Sequence, residues 1–325
     1  MGIKAWIMAG ALAWAGAGTA VAQIQAQAWP AKPLRIVTAF GAGSASDIVA
    51  RLLAEDLQAA LHQPVLVENK PGASGMLAAD LVAKAPADGY TLFLSTNTAH
   101  SVNPHLFKKL PYDPIADFTP IARICFFPFV LAVPAASPAQ SVAQLVALGR
   151  APGGKLSYAF GNSTGQIAAA AFSALTHLDV AAVPYKSTPQ ALTDLVGGQV
   201  SFLFVDLASS QAQVKAGRVR LLAVTSAQRS PQMPELPTLA VAAGLPGFDL
   251  SAWVGVLGPA GLPAEITQRI SEQVQRWLAR KDIVDRLVAM GADVAPSSAA
   301  ELERYLREQL QVWGRKVRDA GIVPE

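Results

Sequence analysis

The sharpest chemical motif in the chain is Gly161-Asn162-Ser163-Thr164-Gly165, which has the G-x-S-x-G spacing of a serine nucleophile on a strand-to-helix turn. Such a serine needs a histidine later in the chain, in the order Ser, Asp/Glu, His. The only histidines are His62, His100, His105 and His177. His177 follows Ser163 by 14 residues, at the end of the helix that the motif itself would start, so base geometry disfavours a triad. The pentapeptide reads better as a loop whose backbone N–H groups cradle an anion, with a secreted serine esterase using Ser163 as the lesser alternative.

A second such loop is Phe40-Gly41-Ala42-Gly43-Ser44-Ala45-Ser46-Asp47. Its Gly41-x-Gly43-x-x-Ser46 spacing approaches the dinucleotide fingerprint, and Glu68 stands where a ribose-binding acid would. The third glycine is missing, which leaves a weak partial match. Ser44 and Asp47 have the spacing of a capping box, so the loop is expected to end with free N–H groups at a helix start, a site for an anion. Asp47 has two open readings, cap alone or part of the site. One cysteine and four scattered histidines give no metal cluster, and no cofactor is implied. Cys125, in Ile-Cys-Phe-Phe-Pro-Phe, reads as a buried small hydrophobe.

The elements that position these loops follow from changes of hydrophobic period. Leu34 to Ala39 is a short β-branched run, a buried strand. From Ala45 the apolar residues Ala45, Ile48, Val49, Leu52, Leu53 and Ala60 form one face of a helix. Strands at Val65 to Glu68 and Tyr90 to Leu94 continue a β-α series, which predicts a parallel sheet with ligands beyond its carboxyl edge. That puts Phe40 to Ser46 on one rim with Ser95, Thr96, Asn97 and Thr98. Ile124 to Val133 is interrupted by Pro128 and bounded by Pro134. A second β-α series follows: a helix over Val142 to Arg150, then strands at Leu156 to Phe160, Val180 to Val183, Val200 to Val205 and Leu221 to Val224. Helices over Ala264 to Arg280 and Ala299 to Ala320 close the chain.

Lys4, the apolar Ala5 to Ala17 and Ala20-Val21-Ala22 have the pattern of a signal peptide over residues 1–22, cleaved after Ala22, so an exported, periplasmic chain is expected. The formal net charge of +3 and scattered basic residues give no footprint for nucleic acid. The length suits two α/β domains better than one.

The residues also resemble a family. Blocks at Trp29-Pro30-Ala31-Lys32-Pro33, Pro64-Val65-Leu66-Val67-Glu68-Asn69-Lys70-Pro71-Gly72-Ala73 and Ala87-Asp88-Gly89-Tyr90-Thr91-Leu92 are similar to the Bug/TctC family of periplasmic solute-binding receptors of tripartite tricarboxylate transport systems. So are Leu110-Pro111-Tyr112-Asp113-Pro114, Val183-Pro184-Tyr185-Lys186 and Ala191 to Val200. The resemblance implies an α/β, two-lobed periplasmic binding protein of type II, each lobe a mixed, mostly parallel sheet flanked by helices. Lobe 1 would be 29–129 plus 251–325 and lobe 2 would be 130–250, with a cleft between. It implies a non-enzymatic, monomeric receptor for a small carboxylate, working with TctA/TctB-like membrane subunits. A signalling receptor that hands its closed form to a sensor has the same sequence requirements.

Carried onto this chain, the first lobe offers Phe40, Ala42, Gly43, Ser44, Ser46 and Asp47, with Ser95, Thr96 and Asn97 beside them. The second offers Asn162, Ser163, Thr164, Gly165, Tyr185 and Asp206. An acid at 206 would repel a dicarboxylate and suit an ammonium; equally, it would cap the next helix. Three positions depart from the family pattern. Its usual Phe-Pro-Pro-Gly-Gly is replaced after Phe40 by Gly41-Ala42-Gly43-Ser44, a common histidine is absent near Ile167, and the usual glycine after Val-Pro-Tyr-Lys is Ser187. These changes imply a ligand different from those of the better-known relatives.

Overall fold

The computed structural model describes residues 29–324, so the expected signal peptide over 1–22 lies outside the described residues. The chain starts with β1 (Leu34–Thr38), α1 (Ala45–Leu61), β2 (Val65–Asn69), α2 (Met76–Ala83) and β3 (Thr91–Thr96). A short α3 (Asn103–Leu106) leads into β4 (Phe118–Pro134). The second series is α4 (Val142–Arg150), β5 (Leu156–Phe160), α5 (Ser163–Leu175), β6 (Val180–Pro184), α6 (Thr188–Val196), β7 (Phe202–Asp206), α7 (Leu207–Lys215) and β8 (Val219–Val224). After α8 (Leu239–Ala242) come β9 (Ser251–Pro259), α9 (Ala264–Leu278), α10 (Lys281–Ala289), β10 (Asp293–Val294) and α11 (Ala299–Asp319).

The strands run in the order β2-β1-β3-β9-β4-β7-β5-β6, with β8 and β10 also paired to β4. The outer pairs β1/β2, β1/β3, β5/β6 and β5/β7 are parallel. β9 and β4, in the middle, are antiparallel to their neighbours. The prolines predicted to interrupt Ile124 to Val133 do not break the strand. Pro128 still pairs with Ser251 of β9, whereas Phe129 pairs with Asp206 of β7, so Pro128 sits where β4 passes from one half of the sheet to the other. A residue without an N–H is tolerated at such a change of partner.

Each half is helix, sheet and helix in layers, because successive strand residues face opposite sides. On β3, Leu92 and Leu94 enter one cluster with α1 and α9, while Phe93 enters another with α2. On β4, Phe129, Leu131 and Val133 pack with α5, and Val130 and Ala132 with α6. The α1 face is Val49, Leu52, Leu53, Leu57 and Leu61; Ile48 is only half-buried and Ala60 is exposed. α11 spans both halves, with Leu302 and Leu306 in a first-half cluster and Trp313 and Val317 in a second-half one. Cys125 is fully buried, and burial holds its thiol far above the usual range.

Candidate functional site

The first loop is built by Asp47. Ser44 caps α1, its Oγ accepting from the Asp47 amide at 3.3 Å. The aspartate does not return the bond to Ser44, as a capping box would. Its Oδ2 accepts from the Gly43 amide at 2.9 Å, one residue further back. Its Oδ1 accepts from Asn69 Nδ2 at 2.9 Å, and Arg51 lies against both oxygens. Burial raises the Asp47 pKa, but these donors outweigh it and hold the carboxyl below its ordinary value. The side chain is therefore committed to the loop, and the Gly43 N–H is used by the protein itself. The Ser46 amide has no protein acceptor among the described residues, and its Oγ lies between Ser44 Oγ and Thr38 Oγ1 at 3.3 and 3.4 Å.

The second loop is shaped by contact. A β-carbon on Gly161 would stand 2.2 Å from the backbone of Ser187 and Thr188, so glycine lets the start of α6 press against this loop. A β-carbon on Gly165 would stand 2.8 Å from the Phe204 carbonyl, so glycine also seats α5 on β7. Asn162 caps α5 by accepting from the Gly165 amide at 2.8 Å and donates to Thr188 Oγ1 at 3.0 Å. The amides of Ser163 and Thr164 have no protein acceptor among the described residues. Asp206 caps α7, accepting from the Ser209 amide at 2.8 Å.

One narrow cavity lies between the two loops. Of the sequence-predicted residues, Phe40, Ser44, Ser46, Thr96 and Asn97 line it from the first half, and Asn162, Thr164 and Asp206 from the second. The starts of α1, α5, α6 and α7 therefore converge on one space, each carrying the partial positive charge of a helix N-terminus. Ala45 and Thr98, which the sequence put on the same rim, line it too; its apolar wall, Phe127, Phe129, Ala252 and Val254, comes from β4 and β9, and with Thr188 these lining residues escaped the sequence reading. The crossing strands looked like ordinary core, and Thr188 follows Ser187 with no motif of its own.

The remaining predicted residues stand elsewhere. Ala42 and Gly43 are exposed at the loop apex. Ser95 is buried and does not line the cavity, and Gly165 and Asp47 hold the loops. Ser163 Oγ donates to Asn103 Oδ1 at 3.0 Å, with no histidine at the hydroxyl among the described residues. Tyr185 is off the cavity: its hydroxyl donates to Asp194 at 2.5 Å, and that carboxylate pushes the phenol up to about 12. Glu68, the candidate ribose acid, is paired with Lys70 at 2.7 Å and Arg35 at 3.4 Å. Groups of three or more metal-ligating side chains are absent among the described residues, as is any helix long and apolar enough to cross a membrane.

The halves also touch directly across this space. Asn97 Nδ2 donates to Thr164 Oγ1 at 2.6 Å, and the Ala45 amide to Ser209 Oγ at 3.2 Å. Two α/β lobes that share their central strands and close on a cleft lined by helix N-termini define the periplasmic binding protein fold. The chain belongs to the TctC family, the tripartite tricarboxylate transporter family receptors, which match residues 49–322. It is 38% identical over 308 residues to a UPF0065 protein of Bordetella bronchiseptica, covering 92% of this chain and 89% of that one. Among solved structures, R. palustris Rpa4515 with adipate has a TM-score of 0.88 at 34% identity, covering 91% of this chain and 100% of that one. The periplasmic binding protein BugD has a TM-score of 0.86 at 29% identity, covering 91% and 100%. MatC from Rhodopseudomonas palustris with bound malate has 0.82 at 30%, covering 89% and 99%.

Proposed function

We propose that this chain is an exported solute-binding receptor that captures a small carboxylate, an organic acid or an amino acid, and delivers it unchanged to a tripartite tricarboxylate-type transporter. The observation that carries the reading is the convergence of the α1, α5, α6 and α7 N-termini on one cavity, with the amides of Ser46, Ser163 and Thr164 free of protein acceptors among the described residues. Oriented amides with no lysine or arginine among the lining residues suit a carboxylate held by hydrogen bonds. Adipate in Rpa4515 and malate in MatC support the same ligand class. The lobes would be 29–129 plus 251–325 and 130–250, opening and closing about β4 and β9. The change of partner between Pro128 and Phe129 supports that division. Of the predicted site residues, Phe40, Ser44, Ser46, Thr96, Asn97, Asn162, Thr164 and Asp206 would face the ligand. The receptor would act as a periplasmic monomer on TctA/TctB-like membrane subunits.

A thermal-shift screen of the purified mature chain tests this, since a ligand that binds only the native state raises the melting temperature. Organic acids, amino acids and aromatic carboxylates should include stabilising members. A screen in which only neutral sugars or amides stabilise the chain contradicts the proposal.

A further inference from the structure

We infer that the ligand of this cleft carries a positively charged nitrogen as well as a carboxylate, and that Asp206, with the Asn97 side-chain oxygen, receives that nitrogen. The inference rests on the carboxylate-receptor reading and narrows it to amino-carboxylates.

Three observations carry it. The residues lining the cavity include one acid, Asp206, and no lysine, arginine or histidine. Asp206 is 5% exposed; its Oδ1 takes the Ser209 amide at 2.8 Å and the Ser209 hydroxyl also donates to the carboxyl, but no cationic side chain pairs with it among the described residues. Asn97 is completely buried, its Nδ2 is fixed on Thr164 Oγ1, and its Oδ1 has no partner among the described residues. The cavity thus presents one acceptor that lacks a donor and one carboxylate that lacks a cationic partner, besides the amides at the helix starts that lack acceptors.

A buried acceptor without a donor, and a buried charge without a partner, are both costly. Burial pushes the Asp206 carboxyl above its ordinary value although Ser209 favours its charge, which is the mark of a carboxylate short of a partner. A dicarboxylate would bring a second negative end into a space that already holds one acid. An amino-carboxylate brings one end for the amides and one for Asp206, and adds no net charge. Adipate and malate, bound by Rpa4515 and MatC, carry no such nitrogen, so the inferred ligand differs from both.

The test is calorimetric titration of the purified mature chain with pairs matched in methylene count. They are 5-aminopentanoate against adipate, 4-aminobutanoate against glutarate, and β-alanine against succinate, with norvaline against pentanoate, matched in carbon count instead, for a nitrogen beside the carboxylate. In at least one pair the ammonium compound should bind about tenfold tighter or better, as a buried charge pair does. Asp206→Asn keeps the helix cap, because asparagine caps as well as aspartate, and should remove that preference. Equal or tighter binding by the nitrogen-free partner in every pair overturns the inference but leaves a carboxylate receptor standing. So does an unchanged preference in Asp206→Asn. If no carboxylate of either kind binds, the underlying reading fails as well.

Discussion

Gly41 and Ser187 meet across the cleft: a β-carbon on Gly41 would stand 3.0 Å from the Ser187 hydroxyl oxygen and 3.4 Å from its β-carbon. Ser187 is buried and precedes α6 without using its hydroxyl to cap that helix. The resemblance implies proline at the first position and glycine at the second, in which case this chain would carry the bulk on the opposite half. Gly41→Ala should therefore crowd the closed form by about 1 kcal/mol, and Ser187→Gly should relieve it. A double-mutant cycle on melting temperature with and without ligand reads the coupling. Additive effects would show that the two positions do not share one space.

Asp47 is committed to its own loop through the Gly43 amide, Asn69 and Arg51. Asp47→Ala strands the Gly43 amide and Asn69 and frees the half-exposed Arg51, at a cost of roughly 2–3 kcal/mol. Ligand affinity should fall too, because the first turn of α1 is no longer held. Urea unfolding measures the first effect and titration the second. Lost affinity at unchanged stability would instead place Asp47 on the ligand.

At Gly165 the β-carbon of alanine would stand 2.8 Å from the Phe204 carbonyl, which cannot move without β7. Gly165→Ala should cost about 1–3 kcal/mol and shift the start of α5 off its seat, weakening ligand binding. Ser163→Ala removes one hydrogen bond to Asn103 and should cost only about 1 kcal/mol. If the serine change weakens binding more than the glycine change, the hydroxyl and not the helix position matters.

Much of this was legible in residue pattern. The β-α repeats show in the change from strand runs to helical period at Ala45, and Ser44, Asn162 and Asp206 stand where caps stand. Tyr185 does not line the cavity, and no local signal shows this, because its partner Asp194 lies nine residues on, on a helix that only the fold brings back. Phe127, Phe129, Ala252 and Val254 could not be picked out, since a strand that crosses between lobes has the same apolar composition as one buried within a lobe. The length of β4 was hidden by Pro128, whose tolerance depends on a change of neighbouring strand that no local signal records.

His100 makes stability depend on pH. It is buried among Phe93, Phe118 and Trp253, and Nδ1 donates to the Pro114 carbonyl at 2.7 Å. Burial lowers its pKa to about 4 from 6.5, only partly offset by that carbonyl. Between those values the unfolded chain binds a proton that the folded chain does not, so stability is present above pH 6.5 and is lost as pH falls towards 4. The loss attributable to His100 is about 3 kcal/mol at full extent. Unfolding of wild type and His100→Gln from pH 7.5 down to about 4 should show the variant lacking that part of the slope. Parallel curves would contradict the assignment.

The central claim is that oriented main-chain amides at converging helix starts hold a negatively charged group. Calorimetric titration with the best carboxylate from the thermal screen, and with its primary amide, tests this most directly. The account predicts saturable binding of the acid and a loss of at least about tenfold on conversion to the amide, since hydrogen bonds to a charged acceptor are roughly twice as strong as those to a neutral one. Equal affinity for the two compounds would contradict it.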